Sequence, residues 1–146
     1  MKKMIFMFLL LLLTFLIGCT KIQLMTLPKD IELTSTVEIT YSELSAMFQN
    51  DETFALFISS VSCSSCIEFE PILDEFIGQY HTKFYRIEAS VEIQTSNDLV
   101  PYSYTPSLAF IKDGEIILLI DPISEPSPFL NYENLNTYLF EQFDIE

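Results

Sequence analysis

An α/β domain is the fold class this sequence predicts, on three observations. Apolar runs of strand length alternate with stretches whose apolar residues recur at helical spacing. Cys63 and Cys66 sit where the first such run passes into the longest helical stretch. Farther on, Asp113-Gly114 divides two apolar runs, the pattern of a hairpin.

The elements follow in order from Thr40. Thr40 to Glu43 (TYSE) fits a capping box, and Leu44, Met47 and Phe48 give one apolar face, so a short helix is expected to about Asn50. Thr53 to Ser59 (TFALFIS) is a continuous apolar run bounded by polar residues, as in a strand buried on both faces. After the cysteines, Phe69, Leu73, Phe76, Ile77 and Tyr80 keep helical spacing up to Tyr80. Lys83 to Val91 reads as a second strand and Glu92 to Val100 as a short helix. The hairpin spans PSLAFIKDGEIILLI, from Pro106 to Ile120. A proline-punctuated loop then leads to Leu130, Leu135, Tyr138, Leu139 and Phe143, the apolar face of a final helix.

What precedes Thr40 is of another kind. Lys2 and Lys3 open the chain, and Met4 to Ile17 is a stretch of 14 residues broken only by Thr14. As a helix it would be about 21 Å long, short of the roughly 30 Å of a bilayer core, so it reads as the apolar region of a signal peptide over residues 1–18. It ends in Leu16-Ile17-Gly18-Cys19, which resembles the lipobox of bacterial lipoproteins. That resemblance implies diacylglyceryl attachment at Cys19, cleavage after Gly18 and a lipid-anchored protein on the extracytoplasmic face of the bacterial membrane. Residues 19–35 lack a clean helical or strand period and are expected to be a tether with a short strand near its end, which leaves 36–146 as the domain. The chain has three cysteines, so committing Cys19 to lipid leaves one pair.

Composition excludes some partners. With 49% hydrophobic and 14% aromatic residues, the 146-residue chain can build one core. Its 7 Lys+Arg against 21 Asp+Glu give a net charge of −14. Nucleic acid needs phosphate neutralisation and is not an expected partner of such a surface.

The element order, with C-x-x-C at a strand-to-helix turn, resembles the thioredoxin family. Cys63-Ser64-Ser65-Cys66 matches its active-site turn, Pro71 the proline five residues beyond the second cysteine, and Thr105-Pro106 its cis-proline. The resemblance covers about residues 36–146. It implies a thioredoxin-like fold, a central mixed sheet flanked by helices. It also implies thiol–disulfide exchange with client proteins, Thr105 and Pro106 lending backbone to substrate.

The residues support that chemistry on their own account. Cysteines at i and i+3 of a first helical turn lie close enough to close a disulfide. Unpaired N–H groups and the helix dipole favour a thiolate there, making Cys63 the nucleophile and Cys66 the resolving thiol. A structural staple is the bland alternative, yet so small a loop constrains the unfolded chain little. Two thiolates can also hold Cu(I), whereas structural zinc lacks its other ligands. No metal or cofactor is expected.

Three positions depart from the family pattern. Its buried acid, six residues ahead of the first cysteine, is Phe57 here; the lysine that partners it is placed at Phe84; and Ser62 replaces the preceding Trp. Glu68 and Glu70 suit the dipole but oppose a nearby thiolate. The only histidine, His81, is expected on the surface at a helix C-terminus, and Tyr102 and Tyr104 are candidates for lining a substrate groove. The sequence is thus read as an extracytoplasmic oxidoreductase of cell redox homeostasis, working with thiol- or disulfide-bearing clients and a membrane redox partner, in a direction Ser64-Ser65 leaves open. The alternatives are a non-enzymatic peptide-binding module of export or immunity type and a Cu(I) chaperone.

Overall fold

The computed structural model describes residues 24–89 and 99–145. The signal peptide and Cys19 lie outside them, as does most of the helix expected over 92–100. Among the described residues no helix is long and apolar enough to cross a membrane.

Strands β1 (Val37–Glu38), β2 (Phe54–Ser59), β3 (Phe84–Glu88), β4 (Ser107–Lys112) and β5 (Glu115–Ile120) form one sheet in the order β1-β3-β2-β4-β5. β1, β2 and β3 run parallel, and β4 and β5 are antiparallel to their neighbours. The sheet is therefore mixed and flanked by helices: α1 (Tyr41–Gln49), α2 (Ser64–Tyr80) and α3 (Tyr132–Gln142).

Strand alternation divides the core into two layers. Ala55 and Phe57 of β2 and Phe84 of β3 pack with Phe69, Leu73, Phe76 and Ile77 of α2 and Leu135 and Leu139 of α3. Phe54, Leu56 and Ile58 pack on the other face with Leu44 and Met47 of α1. β2, central and covered on both faces, buries all six residues, which is why its sequence shows no alternation.

Local chemistry sets the element ends. Thr40 Oγ1 accepts from the Glu43 N–H at 3.3 Å while Glu43 Oε2 accepts from the Thr40 N–H at 2.7 Å, completing the capping box. The hairpin turns on Asp113 (φ 51°) and Gly114 (φ 73°), both left-handed as a two-residue primed turn requires. Gly114 has a second reason: a Cβ there would stand 2.9 Å from Asp51 Oδ1 and 3.0 Å from the Phe48 carbonyl oxygen.

Two readings change. The segment expected as a free tether is packed from Leu24 onward: Met25 and Leu27 are buried, Leu24 and Leu27 N–H donate to the Gln142 and Asp144 carbonyls, and Asp144 N–H donates to Met25. Two apolar residues at i and i+2 are too short a period to read as a strand in isolation; the C-terminal tail supplies the partner. The short strand near the tether's end lies at Val37–Glu38. Leu130 precedes α3 and is exposed, so the helix face begins at Leu135, with Asn131 as N-cap. His81 stands at the α2 C-terminus as expected, capping the helix in the left-handed conformation (φ 54°), half-buried with its Nδ1 inward and unpartnered.

Candidate active site

The site stands where β2 ends and α2 begins. Cys63 is the N-cap of α2: its Sγ accepts from the Cys66 N–H at 3.2 Å, and the Ser65 hydroxyl lies 3.7 Å from it. Its Sγ is 3.4 Å from the Thr105 carbonyl oxygen, to which a reduced thiol can donate. Thr105-Pro106 is a cis peptide bond just ahead of β4, bringing that carbonyl beside the sulfur.

Cys63 and Cys66 form a disulfide, with Cα atoms 5.3 Å apart. Their exposures differ sharply: Cys63 is partly accessible and Cys66 is 1% exposed. An incoming thiol or disulfide therefore meets Cys63. The backbone donor and the helix N-terminus converge on the same sulfur, so negative charge developing there is stabilised. Around it stand exposed apolar side chains, Val61 (76%), Ile67 (62%) and Tyr104 (53%). Tyr102 is buried in the α1-side core, so of the two tyrosines only Tyr104 is on this surface.

Pro71 lies inside α2, five residues past Cys66, with its chain continuing as helix to Tyr80. Phe57 fills the space beneath the helix, its ring 5.7 Å from that of Phe69. The Cα partner of Phe57 on β3 is Arg86, while Phe84 pairs with Ala55 and packs in the same layer as Phe57. Arg86 donates to Glu70 Oε1 at 2.6 Å, one helical turn beyond Cys66, and Glu38 stands at 4.0 Å. A charge pair thus exists near the site, but its acid comes from α2. Burial pushes the Asp74 carboxyl up, opposed by the Thr36 N–H bond it accepts, with Glu70 adding to the rise and Arg86 countering it.

Glu68 is exposed at the helix start. Glu88 Oε1 accepts from the Val61 N–H at 3.0 Å and braces the turn ahead of Cys63. Sequence reasoning passed over Ser59, the last residue of β2. It is buried, its hydroxyl has no partner, and a lone polar residue ending an apolar strand was the available signal. Among the described residues no group of three or more His, Cys, Asp or Glu is placed to hold a metal ion.

No family model matches the chain, and no curated protein matches it by sequence. Solved structures do. Thioredoxin O1 from Arabidopsis thaliana in its oxidised state superposes with a TM-score of 0.55 at 14% identity, covering 75% of this chain and 99% of that one. The fold is thioredoxin-like. Thioredoxin from Trypanosoma brucei brucei gives 0.53 at 13% identity over 73% and 93% of the chains, and a chain of the complex of ferredoxin:thioredoxin reductase with thioredoxin f2 gives 0.57 at 13% over 74% and 94%. These likenesses carry the thioredoxin-like architecture, a mixed sheet flanked by helices with the close cysteine pair at the head of α2.

Proposed function

We propose that the protein is a thiol–disulfide oxidoreductase, lipid-anchored through Cys19 on the extracytoplasmic face of the bacterial membrane, exchanging disulfides with client proteins. The observation that carries this is the asymmetry of the pair: an accessible Cys63 at a helix N-terminus, disulfide-bonded to a buried Cys66. A staple has no use for that difference. A cycle does, because one sulfur must meet the client and the other must be reachable only from the first.

In the oxidising direction a client thiolate attacks Cys63 Sγ, forming a mixed disulfide as the Cys63–Cys66 bond breaks and Cys66 leaves as thiolate to be protonated. A second client thiolate then displaces Cys63. In the reducing direction the Cys63 thiolate attacks a client disulfide, and Cys66 closes on Cys63 to release the client as thiol. The Thr105 carbonyl and the Val61, Ile67 and Tyr104 side chains supply the surface against which client chain lies.

The decisive trap is Cys66→Ala, which should accumulate mixed disulfides through Cys63 that thiol reductants release. A peptide-holding module, which the same apolar surface would also suit, gives none. Redox titration of the pair should show a reversible transition between roughly −300 and −100 mV; a pair that stays oxidised far below that range is a staple. Anchoring is tested separately: Cys19→Ser should move the protein out of the membrane fraction and abolish fatty-acid labelling.

A further inference from the structure

Among the described residues four buried side-chain polar atoms lack a partner: Ser59 Oγ, His81 Nδ1, Thr82 Oγ1 and Asn136 Oδ1. His81 and Thr82 follow the far end of α2 and Asn136 lies on α3. Ser59 alone belongs to the disulfide end of the sheet.

Its direction follows from register. Ala55 and Phe57 belong to the layer under α2, and Phe54, Leu56 and Ile58 to the opposite layer, so Ser59 presents its side chain to α2. The helix returns antiparallel to the strand that feeds it. Phe69 stands over Phe57, and one turn back along α2 toward the disulfide is Cys66, just as Ser59 is the next α2-facing residue along β2. Ser59 and Cys66 are each 1% exposed. A buried hydroxyl without a partner works against stability, and alanine would fit the same strand position.

We infer that the Ser59 hydroxyl is the hydrogen-bond donor to Cys66 Sγ once the disulfide opens, a catalytic residue of the resolving step. The inference rests on the oxidoreductase reading. In the disulfide, Cys66 Sγ carries no charge and the hydroxyl is idle. When Cys66 attacks the mixed disulfide it must do so as thiolate, in a place shielded from water, where burial disfavours charge and a donor favours it. The Cys66 proton leaves to solvent, the thiolate attacks Cys63 Sγ, the Cys63–Cys66 bond forms, the Cys63–client bond breaks, and the client sulfur departs with the electron pair and takes up a proton. Ser59 stays neutral throughout. Phe57 offers nothing to this sulfur, and the Glu70 carboxylate is held by Arg86.

The two half-steps can be timed separately in the full-length protein carrying Cys19→Ser, so that only the pair reacts. Reduced protein is mixed with an aromatic disulfide whose leaving thiolate is coloured: Cys63 releases one equivalent on forming the mixed disulfide, and Cys66 releases a second on resolving it. Ser59→Ala should leave the first phase unchanged, slow the second about tenfold or more, the worth of a hydrogen bond to a charged group, and move its pH midpoint upward. Ser59→Thr, which keeps the hydroxyl, should recover most of the rate. Among the described residues the other ionisable groups facing this region are Glu68, Glu70 and Asp74 on α2, Arg86 and Glu88 on β3, Glu38 on β1 and Tyr104 ahead of β4, while the turn before α3 presents Phe129 to Phe69. All are retained in both variants. Because the lost hydroxyl has no partner in the disulfide form, oxidised Ser59→Ala should be as stable as the parent or more so. An unchanged second phase and pH midpoint overturn the inference alone, as does equal slowing of both phases with lost stability. A parent protein with no second phase overturns the oxidoreductase reading itself.

Discussion

Phe57 lies at the middle of the central strand, fully buried, with its ring against Phe69. Nothing in the site depends on its chemistry, so its effect belongs to packing. Phe57→Ala should cost about 3–5 kcal/mol in urea denaturation, as large-to-small changes at buried aromatic positions do. Phe57→Asp should cost more, by a margin that widens as pH rises and the buried carboxylate ionises. Equal costs for the two at neutral pH would mean that water reaches the strand. Asp74 makes the opposite test on a native carboxyl. Its folded value is raised, chiefly by burial, above the ordinary 3.8, so the folded chain binds more protons than the unfolded one between those two values. Stability linked to Asp74 is therefore lost as pH rises from about the unfolded value through the folded one. Asp74→Asn, which can still accept from the Thr36 N–H, should gain thermal stability relative to the parent across that window. A difference independent of pH between acid and neutral conditions would sink this.

At the scale of elements, the capping box of α1 and the turn of the hairpin are the local devices with the clearest consequences. Thr40→Ala removes the acceptor for the Glu43 N–H and should destabilise the protein by about 1 kcal/mol. Separately, the Thr40 N–H and hydroxyl hold the Glu43 carboxyl below its ordinary 4.5, an added stabilisation that is present above the unfolded value and disappears as pH falls through the lowered folded one. The gap between parent and Thr40→Ala should narrow in acid, where the Thr40 hydroxyl–Glu43 bond is lost, and keep the part owed to the N-cap bond. Gly114→Ala meets both a left-handed backbone and the Asp51 and Phe48 atoms, and should cost more than the roughly 1 kcal/mol of a strained glycine replacement alone. Both devices were legible in the sequence, because a capping box and an Asp-Gly turn act over four residues or fewer. The pairing of Phe57 with Arg86 was not: parallel register is fixed by packing across a crossover, and shifting a strand by two residues would keep every apolar residue on its own face.

For the whole molecule, the N-terminal segment is the part whose role changed most. Met25 and Leu27 join the core beneath α2 and α3, and their backbone pairs with the C-terminal tail, so residues from Leu24 belong to the domain. A chain beginning at Thr36 should lose about 3–6 kcal/mol, two buried side chains' worth. An unchanged denaturation midpoint would show that the segment is dispensable. The first described residues, Leu24 to Thr26, stand beside Thr53 and Lys112, at the end of the sheet opposite the disulfide. The net charge of −14 acts on the molecule as a whole through self-repulsion, so moderate salt should raise the melting temperature.

By itself the sequence determined the α/β class, the element order, the caps and turns, and the C-x-x-C at the head of the longest helix, because each is written in residues close together in the chain. The tertiary structure alone decided how deeply Cys66 is buried, which strand residues stand beside Phe57, that Leu24 to Leu27 complete the core, and that an unpartnered Ser59 hydroxyl faces the helix bearing Cys66. Those are relations between residues far apart in sequence. They are set by how two layers close on one sheet, and burial, the quantity that gives the two sulfurs different chemistry, exists only once the layers have closed.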